Sequence, residues 1–251
     1  MDSGFTLITP IDDPNYQDRI SHISGEIWPE FMLKDPLAEK YWGGLYEYFP
    51  EYQFAIIEKK TNTVVGKANS VPLYWDKEIS DLPEEGWDWA LTKSSMDYKN
   101  KQKANTLCAI QIGIVSDFQG KGMSKIFLEE MIALVKKHKL NNLVAPVRPS
   151  TKDKYPLTSI DSFIEWQNAE KLPFDPWLRV HVRRGGKIIK SCKKAMKITG
   201  SVSDWESWTN MKFPESGDYV VPGALIPIVI DIKKDEGLYL EPNVWVLHEV
   251  K

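Results

Sequence analysis

The segment from Leu107 to Lys137 constrains the fold more than any other part of the chain. It reads LCAIQIGIV, then SDFQGKG, then MSKIFLEEMIALVKK. The first run is largely apolar and of strand length, which predicts a central strand over Leu107–Val115 with both faces covered. In the last run Met123, Phe127, Met131 and Leu134 recur at helical spacing, with Ile126 beside them. Lys136, Lys137, His138 and Lys139 fill the final turn, where cations complement the helix dipole. Gly120 and Gly122 sit at the junction. Glycine lets a backbone turn tightly and approach a ligand closely. The first amides of a helix lack partners within it and carry partial positive charge, so such a junction suits an anion. The stretch QGKGMS, Gln119–Ser124, is therefore either a phosphate site or a tight turn that serves only helix–sheet packing. It has neither the spacing of a P-loop nor that of a dinucleotide fingerprint.

Strands and helices alternate around this unit. Residues 16–48 read as helices, with Trp28, Phe31, Met32, Leu37 and Tyr41 as apolar marks. Gln53–Glu58 and the run from Val64 to Leu73 flank a KKTNT turn and predict a hairpin. The long connection 74–105 holds an expected helix near 82–95, and connections of that length are often functional. Another strand starts at Leu143. Residues 158–167 read as a helix with Thr158 and Asp161 in a capping-box arrangement. Residues 174–186 read as a shorter helix, with Asp175 at the N-cap, Pro176 at the first helical position and Gly185 at the stop. Lys187–Gly200 is a strand region, and residues 224–250 predict a closing β-hairpin that turns near Asp235–Gly237. No internal repeat or low-complexity linker divides the chain. The pattern predicts a single α/β domain over residues 1–251 with a mixed sheet.

The formal net charge of -3, with no long block of one sign, argues against a nucleic-acid partner. No apolar run reaches the length of a membrane span, and MDSGFTLITPIDD has no secretory pattern, so a cytoplasmic protein is expected. Cys108 and Cys192 lack metal spacing and read as reduced thiols, and the four histidines form no zinc motif. The aromatic residues cluster, as in YWGGLYEYF, EEGWDWAL and SDWESW. Most are expected in the core. Trp87 and Trp89 lie in a polar segment and are expected instead to line a pocket.

IGIVSDFQGKGMS resembles motif A of the GNAT superfamily of acyl-CoA-dependent acetyltransferases, written Q/R-x-x-G-x-G/A after a strand. Ile112, Gly113 and Ile114 stand at the strand positions, Phe118 at the aromatic one, and Gln119 and Gly122 at the anchors. Ser124 occupies the place of the usual Gly or Ala, and is small enough to keep the close approach. The order of elements is also similar to that fold. The resemblance implies an α/β (α+β) architecture: a mixed, mostly antiparallel sheet flanked by helices, with insertions and a C-terminal β-hairpin. It implies acetyl-CoA or another acyl-CoA as co-substrate and no metal. The amides of Gln119, Gly120, Lys121, Gly122, Met123 and Ser124 would hold the pyrophosphate, and Ile112–Ile114 would bond the pantetheine arm like an added strand. It further implies direct acetyl transfer to a small-molecule amine. The aromatic content points to an aromatic or apolar acceptor, and a homodimer is left open.

In such enzymes a Tyr four residues before a Gly often protonates the departing thiolate. Here His181 stands four residues before Gly185, and histidine can serve as a general acid or pack as a spectator beside Trp177. If Gly186 is the matching glycine, the position is Val182 and this helix supplies no acid. Where some relatives carry a basic Glu on the motif strand, this chain has Gln111. Asp88, Asp161 and Glu165 are carboxylates in added segments, with capping the favoured reading for Asp161. Arg179, Arg183 and Arg184 are cations within reach of an anionic group or simply exposed, and Lys121 faces solvent or a phosphate. No cysteine context demands a covalent acyl-enzyme. The competing readings are an inactive CoA-binding sensor, an enzyme of the same type using a longer acyl-CoA, and a nucleotide-binding protein of another fold.

Overall fold

The computed structural model describes residues 4–250. Its first part runs β1 (Phe5–Ile8), α1 (Tyr16–Ile20), α2 (Ile23–Ile27), α3 (Pro36–Tyr48), β2 (Gln53–Glu58), β3 (Thr63–Leu73), α4 (Gly86–Lys99), β4 (Thr106–Ile114), α5 (Met123–Lys137) and β5 (Asn142–Val147). Then follow α6 (Ile160–Ile164), α7 (Pro176–Arg183), β6 (Lys187–Gly200), α8 (Val202–Thr209), β7 (Gly217–Tyr219), β8 (Ile228–Asp231) and β9 (Glu236–Glu249). The strands form one sheet in the order β1-β2-β3-β4-β5-β9-β8-β7, with β6 paired to β9. Pairing is antiparallel except between β4 and β5. The mixed, mostly antiparallel sheet and the closing hairpin are as expected from sequence.

The parallel pair opens the site. β4 and β5 pair only where Thr106–Cys108 oppose Asn142–Val144. Beyond that point β4 continues to Ile114 beside β3, while β5 stays paired with β9. Ile110 is an extra residue between the Asn69–Gln111 and Ser70–Ala109 pairs, and such a bulge bends a strand. A cleft lies between the parted strand ends.

α5 is held under the sheet by its expected stripe. Met123, Phe127 and Met131 are buried, Leu134 is half-buried, and Phe127 stacks on Phe54. Each such side chain contributes about 1.5–3 kcal/mol of burial. At α7, one oxygen of Asp175 accepts from the amides of Trp177 and Leu178. Its other oxygen accepts from Thr151 N and Oγ1, so a single carboxylate caps the helix and ties it to the loop after β5. Pro176 opens the helix and Gly185 ends it with φ +80°, as the sequence indicates.

The expected cap of α6 is corrected. Ser159, not Thr158, accepts from the Ser162 amide. Asp161 is not a capping residue: it accepts from Ser191 Oγ and pairs with Lys193, because β6 passes beside it. The long connection also serves β6. Across from Pro242, which has no N–H to give, the β6–β9 pairing is irregular between Cys192 and Met196. The freed amides of Lys193 and Lys194 donate instead to Glu84, and beyond the irregularity the Lys197 amide donates to Asp88. Cys108 and Cys192 are free and buried. Among the described residues no helix is long and apolar enough to cross a membrane.

Candidate active site

The cleft has a volume of about 1100 Å³ and runs from the Gln119–Ser124 loop, past the free end of β4, to a chamber between α3, α4, α7 and β9. At the loop end, Gln119 Nε2 donates to the Ile114 carbonyl at 2.9 Å and closes the turn. Gly120 and Gly122 have φ of +70° and +78°, in the left-handed region where a side chain is strained. Nothing lies within 4 Å of where a Cβ would stand on either. These glycines therefore serve backbone conformation and open approach, not packing. Gly122 caps α5 without any side-chain cap, and no acidic residue occupies the first turn. Apart from the Lys125 amide, which donates to the Gly122 carbonyl at 3.2 Å, the amides of that turn are open to an anion. Ile112, Gly113, Ile114, Gln119, Gly120, Gly122, Met123 and Ser124 all line the cleft. Lys121 does not. It is exposed, with its ammonium 5.2 Å from the centre of the Phe118 ring.

The chamber is built from side chains of distant segments. Trp42 and Trp87 stack at 6.0 Å with 16° between their planes. Trp87 Nε1 donates to the carbonyl of the bulge residue Ile110 at 2.7 Å. Trp87 thus lines the cleft as expected, whereas Trp89 packs between Trp75 and Trp245. Arg148 stands over the Trp28 ring at 5.7 Å. Its Nε donates to both oxygens of Glu241, at 2.9 and 3.1 Å. Glu241 is fully buried and also accepts from Tyr239 Oη at 3.0 Å. Burial pushes its pKa up, against the opposing pull of Arg148.

His181 is buried and lines the cleft, edge-on to Trp177 with ring centres 4.4 Å apart. Val182 is not part of the wall. The Nδ1 of His181 lies 2.9 Å from Nε2 of His248, and its own Nε2 has no partner. Burial, with His248 alongside, pushes the His181 pKa down to about 3, so the ring is neutral at physiological pH. Two further wall residues carry unpartnered buried acceptors, Gln111 through Oε1 and Asn243 through Oδ1. Asn243 is held by donating Nδ2 to the Pro146 carbonyl at 3.2 Å.

Other candidate side chains are engaged elsewhere. Arg179 donates to the carbonyls of Pro173 and Phe174, Arg183 pairs with Glu170, and Arg184 pairs with Glu129. Glu165 is exposed. Asp88 is not part of the wall, and its Oδ2 accepts from the Lys197 amide at 3.0 Å. Burial and the nearby Asp35 charge push the Asp88 pKa up to about 8.

The chain is 30% identical to a curated arginine N-acetyltransferase, avaD, from Aspergillus versicolor, over 98% of this chain and 94% of that protein. It belongs to the GNAT superfamily of acetyltransferases. No protein-family model matches the sequence. Among solved structures, the fold is similar to the loading GNATL domain of CurA from Lyngbya majuscula. That match has a TM-score of 0.64 and 16% identity, and covers 98% of each chain. It is also similar to the GphF GNAT-like decarboxylase in complex with isobutyryl-CoA, with a TM-score of 0.60, 11% identity, and 98% and 99% of the two chains covered. As a GNAT acetyltransferase the chain uses an acyl-CoA co-substrate, and the cleft fits one. It offers a loop of free amides for an anion and a strand edge without a partner for an extended arm.

Sequence reasoning did not find Arg148, Glu241, Asn243 or His248. Arg148 and Asn243 carry no local motif. Glu241 is one acidic residue in an otherwise ordinary strand. His248 lies 67 positions from the residue it touches.

Proposed function

We propose that this cleft transfers the acetyl group of acetyl-CoA directly to a guanidine or amine nitrogen of a small molecule. The observation that carries the reading is the set of unpartnered polar atoms in the wall, the acceptors Gln111 Oε1 and Asn243 Oδ1 together with the ring nitrogen Nε2 of His181. A buried acceptor without a donor costs about 1–3 kcal/mol, so a group rich in N–H is its natural complement. A guanidine supplies several N–H donors in one plane, and its flat face stacks on indoles such as Trp42 and Trp87. The name of the avaD relative supports the same class.

In this reading the amides of Gly120–Ser124 bind the pyrophosphate, with Lys121 contributing its backbone only; the Gln119 amide, expected from the sequence to join them, donates instead to the Ser116 carbonyl at 3.1 Å. Ile112–Ile114 bond the pantetheine arm and so place the thioester beside the chamber. The acceptor nitrogen attacks the thioester carbon, and His181 is the proton-transfer residue. Tight positioning supplies much of the rate in such a ternary complex. The single continuous sheet supports one domain over residues 1–251, and the buried free thiols suit a reducing cytoplasm.

The test is a turnover screen. Acetyl-, isobutyryl- and hexanoyl-CoA are each offered with alkylguanidines, arginine derivatives and arylalkylamines, following thiol release and product mass. Acetyl-CoA with a guanidine is expected to react fastest. A faster reaction with a longer acyl-CoA would replace the donor, a preference for plain amines would replace the acceptor class, and binding of CoA without any transfer would leave a CoA-binding module.

A further inference from the structure

We propose that His248 sets the tautomer of His181, so that His181 meets the acceptor with a bare Nε2 and carries the proton from the acceptor nitrogen to the departing thiolate. The proposal rests on the reading of the cleft as the acyl-transfer site.

The two rings are 2.9 Å apart, Nδ1 of His181 to Nε2 of His248, and both residues are buried. Only one hydrogen fits between two neutral imidazoles at that distance. Either His181 donates from Nδ1, or His248 donates from Nε2. In the first case the remaining proton of His248 sits on Nδ1, and Nε2 of His181 faces the cleft as a lone pair. In the second case Nε2 of His181 carries a hydrogen and cannot accept another. The outer nitrogens, Nδ1 of His248 and Nε2 of His181, are both buried without a hydrogen-bond partner, and of the two only His181 Nε2 belongs to a residue of the cleft wall. The first arrangement is the one that turns a proton acceptor toward the acyl-transfer site, and it is the one proposed.

Rigid elements hold the pair. His181 lies on α7, whose start is fixed by the Asp175 cap and whose end is closed by the Gly186 amide donating to the His181 carbonyl at 2.9 Å. His248 lies on β9, opposite Leu143 of β5. A Cβ on Gly186 would stand 2.8 Å from His248 Cε1 and 2.9 Å from its Nε2. The glycine at 186 is what leaves room for the His248 ring.

The proton balance closes for an acceptor that attacks as a neutral nitrogen, its ammonium or guanidinium proton having gone to solvent on entry. The acceptor nitrogen forms its bond to the thioester carbon, and the carbonyl oxygen takes the negative charge. The nitrogen then gives one proton to Nε2 of His181, making an imidazolium whose Nδ1–H is held by His248. The oxyanion re-forms the carbonyl, the carbon–sulfur bond breaks, and the thiolate takes the proton from Nε2. Both rings end neutral. His248 touches no reacting atom and is a positioning residue. The one base–acid residue replaces the Glu and Tyr of the family pattern, which this chain lacks at Gln111 and at position 181.

The test combines a tautomer measurement with a rescue pair. Nitrogen NMR of ¹⁵N-histidine-labelled protein reads the protonation of each ring nitrogen, and His181→Phe and His248→Leu assign the signals. The wild type is expected to show a protonated Nδ1 and a bare Nε2 on His181. In His248→Leu that preference should vanish and kcat fall about 10²-fold, with KM for acyl-CoA little changed. In His248→Gln the amide oxygen still accepts from Nδ1, and most of kcat should return. A wild-type His181 with hydrogen on Nε2 would overturn the proposal even if neither variant folds. So would full kcat in a folded His248→Leu, or equal loss in the Gln and Leu variants. Failure of the cleft reading itself looks different: the wild type would bind CoA and transfer nothing.

Discussion

The two ends of the cleft are made in different ways. The loop end is backbone: the free amides at the start of α5 and two glycines with empty space around them, all within Ile112–Ser124. The chamber end is side chain: Trp28, Trp42, Trp87, Arg148, His181 and Glu241 arrive from different elements and connections and are held by buried charges and hydrogen bonds. A backbone site can be altered with little cost to the fold. A side-chain site cannot, because its parts are also the core. The comparison teaches that binding and stability should separate at one end and travel together at the other.

The largest expected effect sharpens the separation at the loop. Gly122→Asp puts a carboxylate where the pyrophosphate should bind. Like-charge contact costs several kcal/mol, so CoA affinity should fall about 10²–10³-fold by calorimetry. The variant should remain folded, losing about 1–2 kcal/mol for a side chain at positive φ. At the chamber end, His181→Phe keeps bulk and removes the proton carrier. Its kcat should fall about 10²-fold or more with acyl-CoA affinity intact. Unchanged turnover in the folded variant would return His181 to a packing role.

The next two effects concern stability. Arg148→Met leaves Glu241 buried without its cation and should cost about 3–5 kcal/mol in denaturant unfolding. Adding Glu241→Gln should restore much of that loss; no recovery would mean that the pair is not the source of the cost. The smallest effect belongs to Asp88. Its folded pKa of about 8 lies above the ordinary carboxylate value, so the folded state holds the proton more tightly. The stability this gives is fully present below about pH 4 and is lost as pH rises toward 8. Asp88→Asn keeps an acceptor for the Lys197 amide but does not ionise. Its melting temperature should gain on the wild type steadily across that window, and a constant difference would contradict the raised pKa of Asp88.

The same division explains what the sequence disclosed. The β4–turn–α5 unit is local: strand, glycines and helical stripe lie in one stretch, and each obeys a short-range rule. The α7 cap is local too, with Asp175, Pro176 and Gly185 in the expected places. The chamber depends on long-range register. His248 reaches His181 only because β9 pairs with β5, and Glu241 faces Arg148 only through the same strand. The misplaced α6 cap has a similar cause, since Asp161 is drawn away by Ser191 and Lys193 of β6. Trp87 and Trp89 look alike in a polar segment, yet helical geometry sends one to the cleft and the other between Trp75 and Trp245.

The division between a backbone-made donor end and a side-chain-made acceptor end is tested most directly by titrating CoA and pantetheine into the wild-type protein by calorimetry. Pantetheine keeps the arm that β4 would bond and lacks the pyrophosphate. The expected result is that CoA binds much more tightly than pantetheine, because the free amides of Gly120–Ser124 meet the pyrophosphate. Equal affinity for the two would contradict it and place the anchoring of the co-substrate away from the loop.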